Sequence, residues 1–120
     1  EEAAIMLKRK AEMEHEWKQG IWGGKGTLDL CKVFTPEELG GRANCFNVVT
    51  LQPGDSIGLH SHITDAEVYY VLSGELTVDD NGTEVQLKAG DAVFTADGNV
   101  HSAENRTDQE AQMLAVIFPK

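Results

Sequence analysis

The sequence predicts an all-β domain, a two-sheet sandwich or small barrel, preceded by a short helical arm. Three observations lead there. From about residue 27 to residue 118, short runs rich in Val, Ile, Leu, Phe, Tyr and Thr recur, each bounded by Gly, Pro, Asn or Asp, the pattern of strands separated by turns. No stretch among them shows the apolar spacing of an internal helix. Residues 1–18, by contrast, lack Gly and Pro and are rich in Glu, Lys, Ala and Met, which favours a helix.

Taken in order, residues 1–25 are expected to form the arm and a linker, and residues 26–120 the barrel. The arm helix would place Met6, Met13 and Trp17 on roughly one face, to pack on the barrel or across a subunit interface, and His15 would be solvated. The stretch at residues 20–26, GIWGGKG, breaks it with four glycines; no strand-loop-helix context surrounds it, so a flexible linker is favoured over a phosphate cradle. Trp22 is placed to cap the barrel mouth. Residues 27–34 alternate as a strand, and residues 35–41 form a turn or short helix with a hydroxyl start and a glycine stop.

Residues 43–51 are the next strand, with Cys45, Asn47 and Val49 on one face, so that Asn47 either looks into the barrel or serves as a buried structural amide. Residues 75–79 and 83–87 flank Asn81-Gly82, whose tolerance of positive φ predicts a tight hairpin. Residues 92–95 form a strand, residues 96–99 a turn that delivers His101, and residues 105–110 a polar loop. The last run, residues 111–118 (AQMLAVIF), is nearly all apolar and is expected to be covered on both faces.

A chain of 120 residues makes one domain, large enough for a core without staples. No apolar run approaches the ~20 residues a spanning helix needs, and no signal-peptide pattern opens the chain, so a cytoplasmic protein without a membrane partner is expected. The formal charge of −10 argues against nucleic acid, because phosphate binding needs clustered Lys and Arg. Cys31 and Cys45 lack the paired spacing of a zinc site, and free thiols are their expected state.

The chemistry concentrates in residues 54–74, GDSIGLHSHITDAEVYYVLSG. His60 and His62 stand at i and i+2 and so share a strand face, and a hairpin return can bring the Glu67 carboxylate to the same point. His101 is available as a third nitrogen. Left unpaired, three imidazoles and a carboxylate would cost several kcal/mol to bury. A divalent transition metal relieves that cost, and three N donors with one O donor suit Fe, Mn, Ni, Co, Cu or Zn. Tyr69, two residues after Glu67, faces the same way and either donates to a bound anion or fills the core. Val49, Val71, Phe94, Met113 and Leu114 are candidates for pocket wall or core.

The spacing G-x5-H-x-H-x4-E-x6-G from Gly54 to Gly74, followed by GDAVFTADGNVHSAEN over residues 90–105 with Gly90, Gly98, His101 and Asn105 in register, resembles the two signature motifs of the cupin superfamily. Ala96 stands where the second motif has proline, a departure that affects only the stiffness of that turn. The resemblance implies a double-stranded β-helix (jelly-roll) fold, a metal held by His60, His62, Glu67 and His101, and, as in other small single-domain cupins, a homodimer. It also implies two open metal positions for a small chelating ligand. A metal-dependent oxidoreductase of dioxygenase type is the leading reading, with Glu67 and Tyr69 as the residues nearest the chemistry. A non-redox isomerase, lyase or decarboxylase, and a non-catalytic small-molecule or sugar-binding module, stay open beside it.

Overall fold

The structure is a computed structural model that describes residues 6–120. The described residues form ten strands: β1 (Glu14–Gln19), β2 (Thr27–Lys32), β3 (Cys45–Leu51), β4 (Ser56–Ser61), β5 (Asp65–Ser73), β6 (Glu75–Asp80), β7 (Thr83–Lys88), β8 (Ala92–Thr95), β9 (Val100–Glu104) and β10 (Ala111–Pro119). They build a six-stranded sheet ordered β1-β2-β3-β10-β5-β8 and a four-stranded sheet ordered β4-β9-β6-β7, antiparallel throughout. The all-β, two-sheet architecture read from the sequence therefore holds.

Period-two alternation decides what lies between the sheets. On β5, Glu67, Tyr69 and Val71 are buried while Tyr70 and Leu72 face out, and the core they join includes Leu28, Leu51, Leu76, Val78 and Met113. The predicted hairpin forms as β6-β7, with Asp80 opposite Thr83. Asn81 (φ 50°) and Gly82 (φ 95°) occupy the left-handed region in its turn, the conformation that a two-residue hairpin loop requires. The turn after residue 34 closes on itself: the Glu38 N–H donates to the Thr35 hydroxyl (3.2 Å) and the Thr35 N–H to the Glu38 carboxylate (2.8 Å), a reciprocal cap.

The helical arm is not what forms. Over its described part, helical structure shrinks to one 3-10 turn at Lys10–Glu12, and the following residues become β1, paired with β2 in a six-residue register from Glu14↔Lys32 to Gln19↔Thr27. Residues 1–5 of the expected arm lie outside the described residues. Helix propensity is a weak preference, and here the open edge of β2 supplies a competing set of backbone partners. Cross-strand contacts add to it, with His15 Nδ1 2.7 Å from the Asp29 carboxylate and Lys32 Nζ 3.6 Å from that of Glu16. His15 is thus exposed yet bonded, and Met6, Met13 and Trp17 share no helical face.

β10 also departs from expectation. Its inward residues Ala111, Met113 and Ala115 are buried, but the other face is covered only in part: Val116 is buried, Gln112 and Leu114 are half-buried and Phe118 is exposed. With only two sheets, loops alone are left to cover the outer face of the larger one.

Candidate metal centre

His60 on β4 lies directly opposite His101 on β9, so those two imidazoles come from neighbouring strands of the smaller sheet. His62 follows one residue beyond the end of β4. Glu67 sits on β5, in the larger sheet, between β10 and β8. The expected hairpin return is therefore a crossing between sheets: residues 62–64 carry the chain from one layer to the other, and the four side chains meet across the sandwich. All four are buried, and their donor atoms lie within 4.8 Å of one another.

Each imidazole is oriented by its second nitrogen. His60 Nδ1 is 2.7 Å from the Gly58 carbonyl and His62 Nδ1 is 2.6 Å from the Asp65 carboxylate. Both partners only accept, so both Nδ1 atoms carry the proton and both Nε2 atoms present a bare lone pair. His101 Nδ1 lies 2.9 Å from the Thr95 hydroxyl. Nε2 of His101 is 2.9 Å from that of His60 and 3.0 Å from that of His62, while Glu67 Oε1 is 2.9 Å from Nε2 of both His62 and His101 and 3.6 Å from that of His60.

The balance of donors and acceptors at this point is the decisive feature. His62 Nε2 and Glu67 Oε1 are both acceptors, and His101 can contribute at most one proton to a group that needs several. A cation at the centre resolves the conflict. Donors held at right angles about 2.1 Å from one ion lie about 3.0 Å apart, which matches most of the separations above. Second-nitrogen bonds to a carbonyl, a carboxylate and a hydroxyl are the supports that metal-bound imidazoles use. The donor set thus fits a divalent transition metal.

Charge states follow the surroundings. Burial by itself would raise the Glu67 carboxyl, but hydrogen bonding with His101 and His60 outweighs it and holds the group below the usual carboxylate range. Burial keeps His101 below the ordinary imidazole value, against the opposing pull of Glu67. Burial, then the Glu67 charge, pushes the Tyr69 phenol well above its usual range and the Cys45 thiol up to about 12.

His60, His62 and Glu67 line a cavity of about 540 Å³ that opens to solvent between β1, the turn at Ile21–Gly23 and the crossing, and His101 is fully buried behind them. Tyr69, 1% exposed, stacks on His101 with ring centroids 4.3 Å apart, so it fills the core and lines the cavity at once. Trp22 stacks on His60, ring centroids 5.3 Å apart at 10°, and, largely exposed, lines the cavity at its mouth. Cys45, Asn47 and Val49 line the cavity together, which places Asn47 on the inward face. Val71 and Met113 are core, Leu114 is half-buried, and Phe94 is exposed on the rim of a separate shallow cleft. Cys31 and Cys45 are free thiols.

Asp65, Thr95 and the Gly58 carbonyl were missed by sequence reasoning, as was Lys18 at the cavity mouth. Asp65 had a legible signal, a carboxylate three residues after His62. Thr95 did not, because only the β5-β8 and β4-β9 pairings bring it under His101.

Comparison with known proteins agrees with this geometry. The Cupin domain family matches residues 47–117. An oxalate-binding protein of Thermotoga maritima is 38% identical over 98% of this chain and 97% of its own length. The crystal structure of a predicted oxalate decarboxylase from the same organism superposes with a TM-score of 0.90, at 38% identity, over 96% of this chain and 100% of that one. A quercetin 2,3-dioxygenase of Bacillus subtilis is 36% identical over 55% of this chain, a stretch that spans 19% of the longer enzyme.

Proposed function

The chain belongs to the cupin family, and from that premise we propose that it is a metal-dependent enzyme of dioxygenase type acting on a small chelating oxygenated molecule. The observation that carries the reading is the set of mutually facing acceptors, His60, His62 and Glu67, around a His101 that cannot supply protons to them all. His60, His62, Glu67 and His101 would hold the ion. A redox-active ion bound there would supply the one-electron chemistry that dioxygen requires.

The protein's own part is binding, orientation and exclusion of water. The Gly58, Asp65 and Thr95 contacts fix the imidazoles before any ligand arrives, so little reorganisation is left for the reaction. Tyr69 is kept protonated by burial and by Glu67, toward whose carboxylate its hydroxyl points, and a ligand oxygen beside the centre would compete for that donor. Few groups in the cavity can move protons. Cys45 is held neutral up to about 12, Asp65 is committed to His62, and Lys18 stands at the mouth. That scarcity favours chemistry done chiefly by metal and substrate over an isomerase or lyase, which needs a proton carrier at the reacting carbon.

The second reading is a non-redox decarboxylase or a binding module, favoured by the name of the Thermotoga maritima relative, which makes oxalate the first compound to try. Oxygen uptake by Fe(II)-loaded protein across oxalate, hydroxy acids and diketones, compared with anaerobic turnover on Mn(II), Ni(II) and Zn(II), separates the two. Uptake coupled to substrate loss supports the first. Equal turnover without oxygen supports the second, and none anywhere leaves a binding module.

We also propose that the protein pairs with a second copy through β1. That strand is exposed along all six residues, its outer edge is open, and Trp17 on it is 68% exposed. Free thiols at Cys31 and Cys45 fit a reducing, cytoplasmic setting.

A further inference from the structure

The cavity around the four-residue centre is far larger than a two-carbon dianion. Oxalate displaces roughly the volume of two or three waters, at ~30 Å³ each, whereas the cavity measures about 540 Å³. Its size falls within the range that encloses ring-bearing ligands, roughly 300–1,000 Å³. The walls beyond the centre are apolar, formed by Ile21, Leu30, Val49, Ile57, Ala115 and Ile117. Four strands and the Ile21–Gly23 turn contribute them, so the apolar lining is a property of the whole chamber.

The other polar liners either stand by the crossing (Ser61, Thr64, Asp65) or at the mouth (Lys18), and Asn47 is the amide set among the apolar residues. Asn47 lies on the inward face of β3 opposite Ala115, and its side chain has no hydrogen-bond partner among the described residues. Asn47 is half-buried and its amide is open to the cavity, so it can orient a ligand there, since apolar walls hold a ligand and a few polar groups fix its direction. At the mouth, Trp22 stacks one face on His60 and is 67% exposed, leaving aromatic surface next to the path a ligand takes.

We propose that the site takes a chelator with an apolar body. In this view two neighbouring oxygens, as in a 2-oxo acid or a hydroxyketone, meet the centre, while an unsaturated or aromatic body lies along Leu30, Val49 and Ile117, with Asn47 reading a polar substituent on it. The inference rests on the metal reading for the head of the ligand and on the cavity walls for the body. Oxalate supplies the head alone.

Calorimetric titration of Ni(II)-loaded protein with oxalate, pyruvate and phenylpyruvate tests it, with nickel content measured before and after. Pyruvate and phenylpyruvate share a head, so their difference reads the body. Phenylpyruvate is expected to bind at least about tenfold more tightly than either smaller compound, the gain that burying a ring gives. Replacing Ala115 with leucine (A115L), which narrows the wall, should cut that preference to about threefold or less. 4-Hydroxyphenylpyruvate should lose affinity in Asn47→Leu, and phenylpyruvate should not. Equal affinity of the wild-type protein for all three compounds overturns the proposal, whether or not A115L folds. Failure of the metal reading shows separately, as protein that retains no nickel after desalting. The same titrations on that metal-free protein then decide the body preference, and equal binding there overturns it as well.

Discussion

At the scale of the residue, the centre depends as much on what holds the imidazoles as on the imidazoles themselves. Asp65 touches no shared donor point, yet its 2.6 Å contact with Nδ1 sets both the tautomer and the plane of His62. Replacing it with alanine should weaken metal affinity about 10- to 100-fold, the usual effect of losing such a support, with the circular dichroism spectrum unchanged. Competition against a chromophoric chelator measures this; an affinity within twofold of wild type would remove Asp65 from the account. The donor residues themselves were legible in the sequence because their spacing survives whatever the strands do. The supports were less so, since Thr95 reaches His101 only through a pairing that no local pattern announces, and Gly58 acts through a backbone carbonyl that any residue possesses.

At the scale of the element, the turn at Ile21–Gly23 is docked on β4 with no room to spare. A methyl group added at Gly58 would overlap the Trp22 carbonyl, and one at Gly24 would overlap that of Ser56. Gly58 also accepts from His60, so one backbone position ties the mouth of the cavity to the centre. Gly58→Ala should destabilise the fold by about 1–3 kcal/mol, as overpacking of tight sites does, and should lift Trp22 from His60. Thermal melts and tryptophan emission report the two effects; an unchanged melting temperature would mean that the turn is only loosely placed. The same scale holds the largest misreading of the sequence. Residues 14–19 (EHEWKQ) have helix-favouring Glu, Lys and Gln, and nothing local reveals that β2 would otherwise keep an open edge. By contrast, Asn81-Gly82 announced its hairpin because only a few residues accept positive φ in a two-residue loop.

At the scale of the whole molecule, two sheets are joined through one buried polar centre, and the larger sheet ends in a strand that only its neighbour β2 supports. The two-layer architecture was legible because alternation and turn chemistry are local, whereas the order of strands within each sheet, and hence the meeting of His101 with Glu67, is set by long-range pairing. The exposed β1 edge predicts a dimer, read by light scattering at micromolar concentration as a mass near twice the 13.1 kDa of the chain; a 13.1 kDa species would leave the β1 edge unpaired in solution. The central claim is that His60, His62, Glu67 and His101 together hold a divalent transition metal. Elemental analysis of the purified protein beside a His60→Ala, His62→Ala double variant tests it most directly. The account predicts about one ion per chain in the wild type and almost none in the variant, because neither remaining donor suffices to hold an ion. Equal metal content in the two, with both folded, would contradict it.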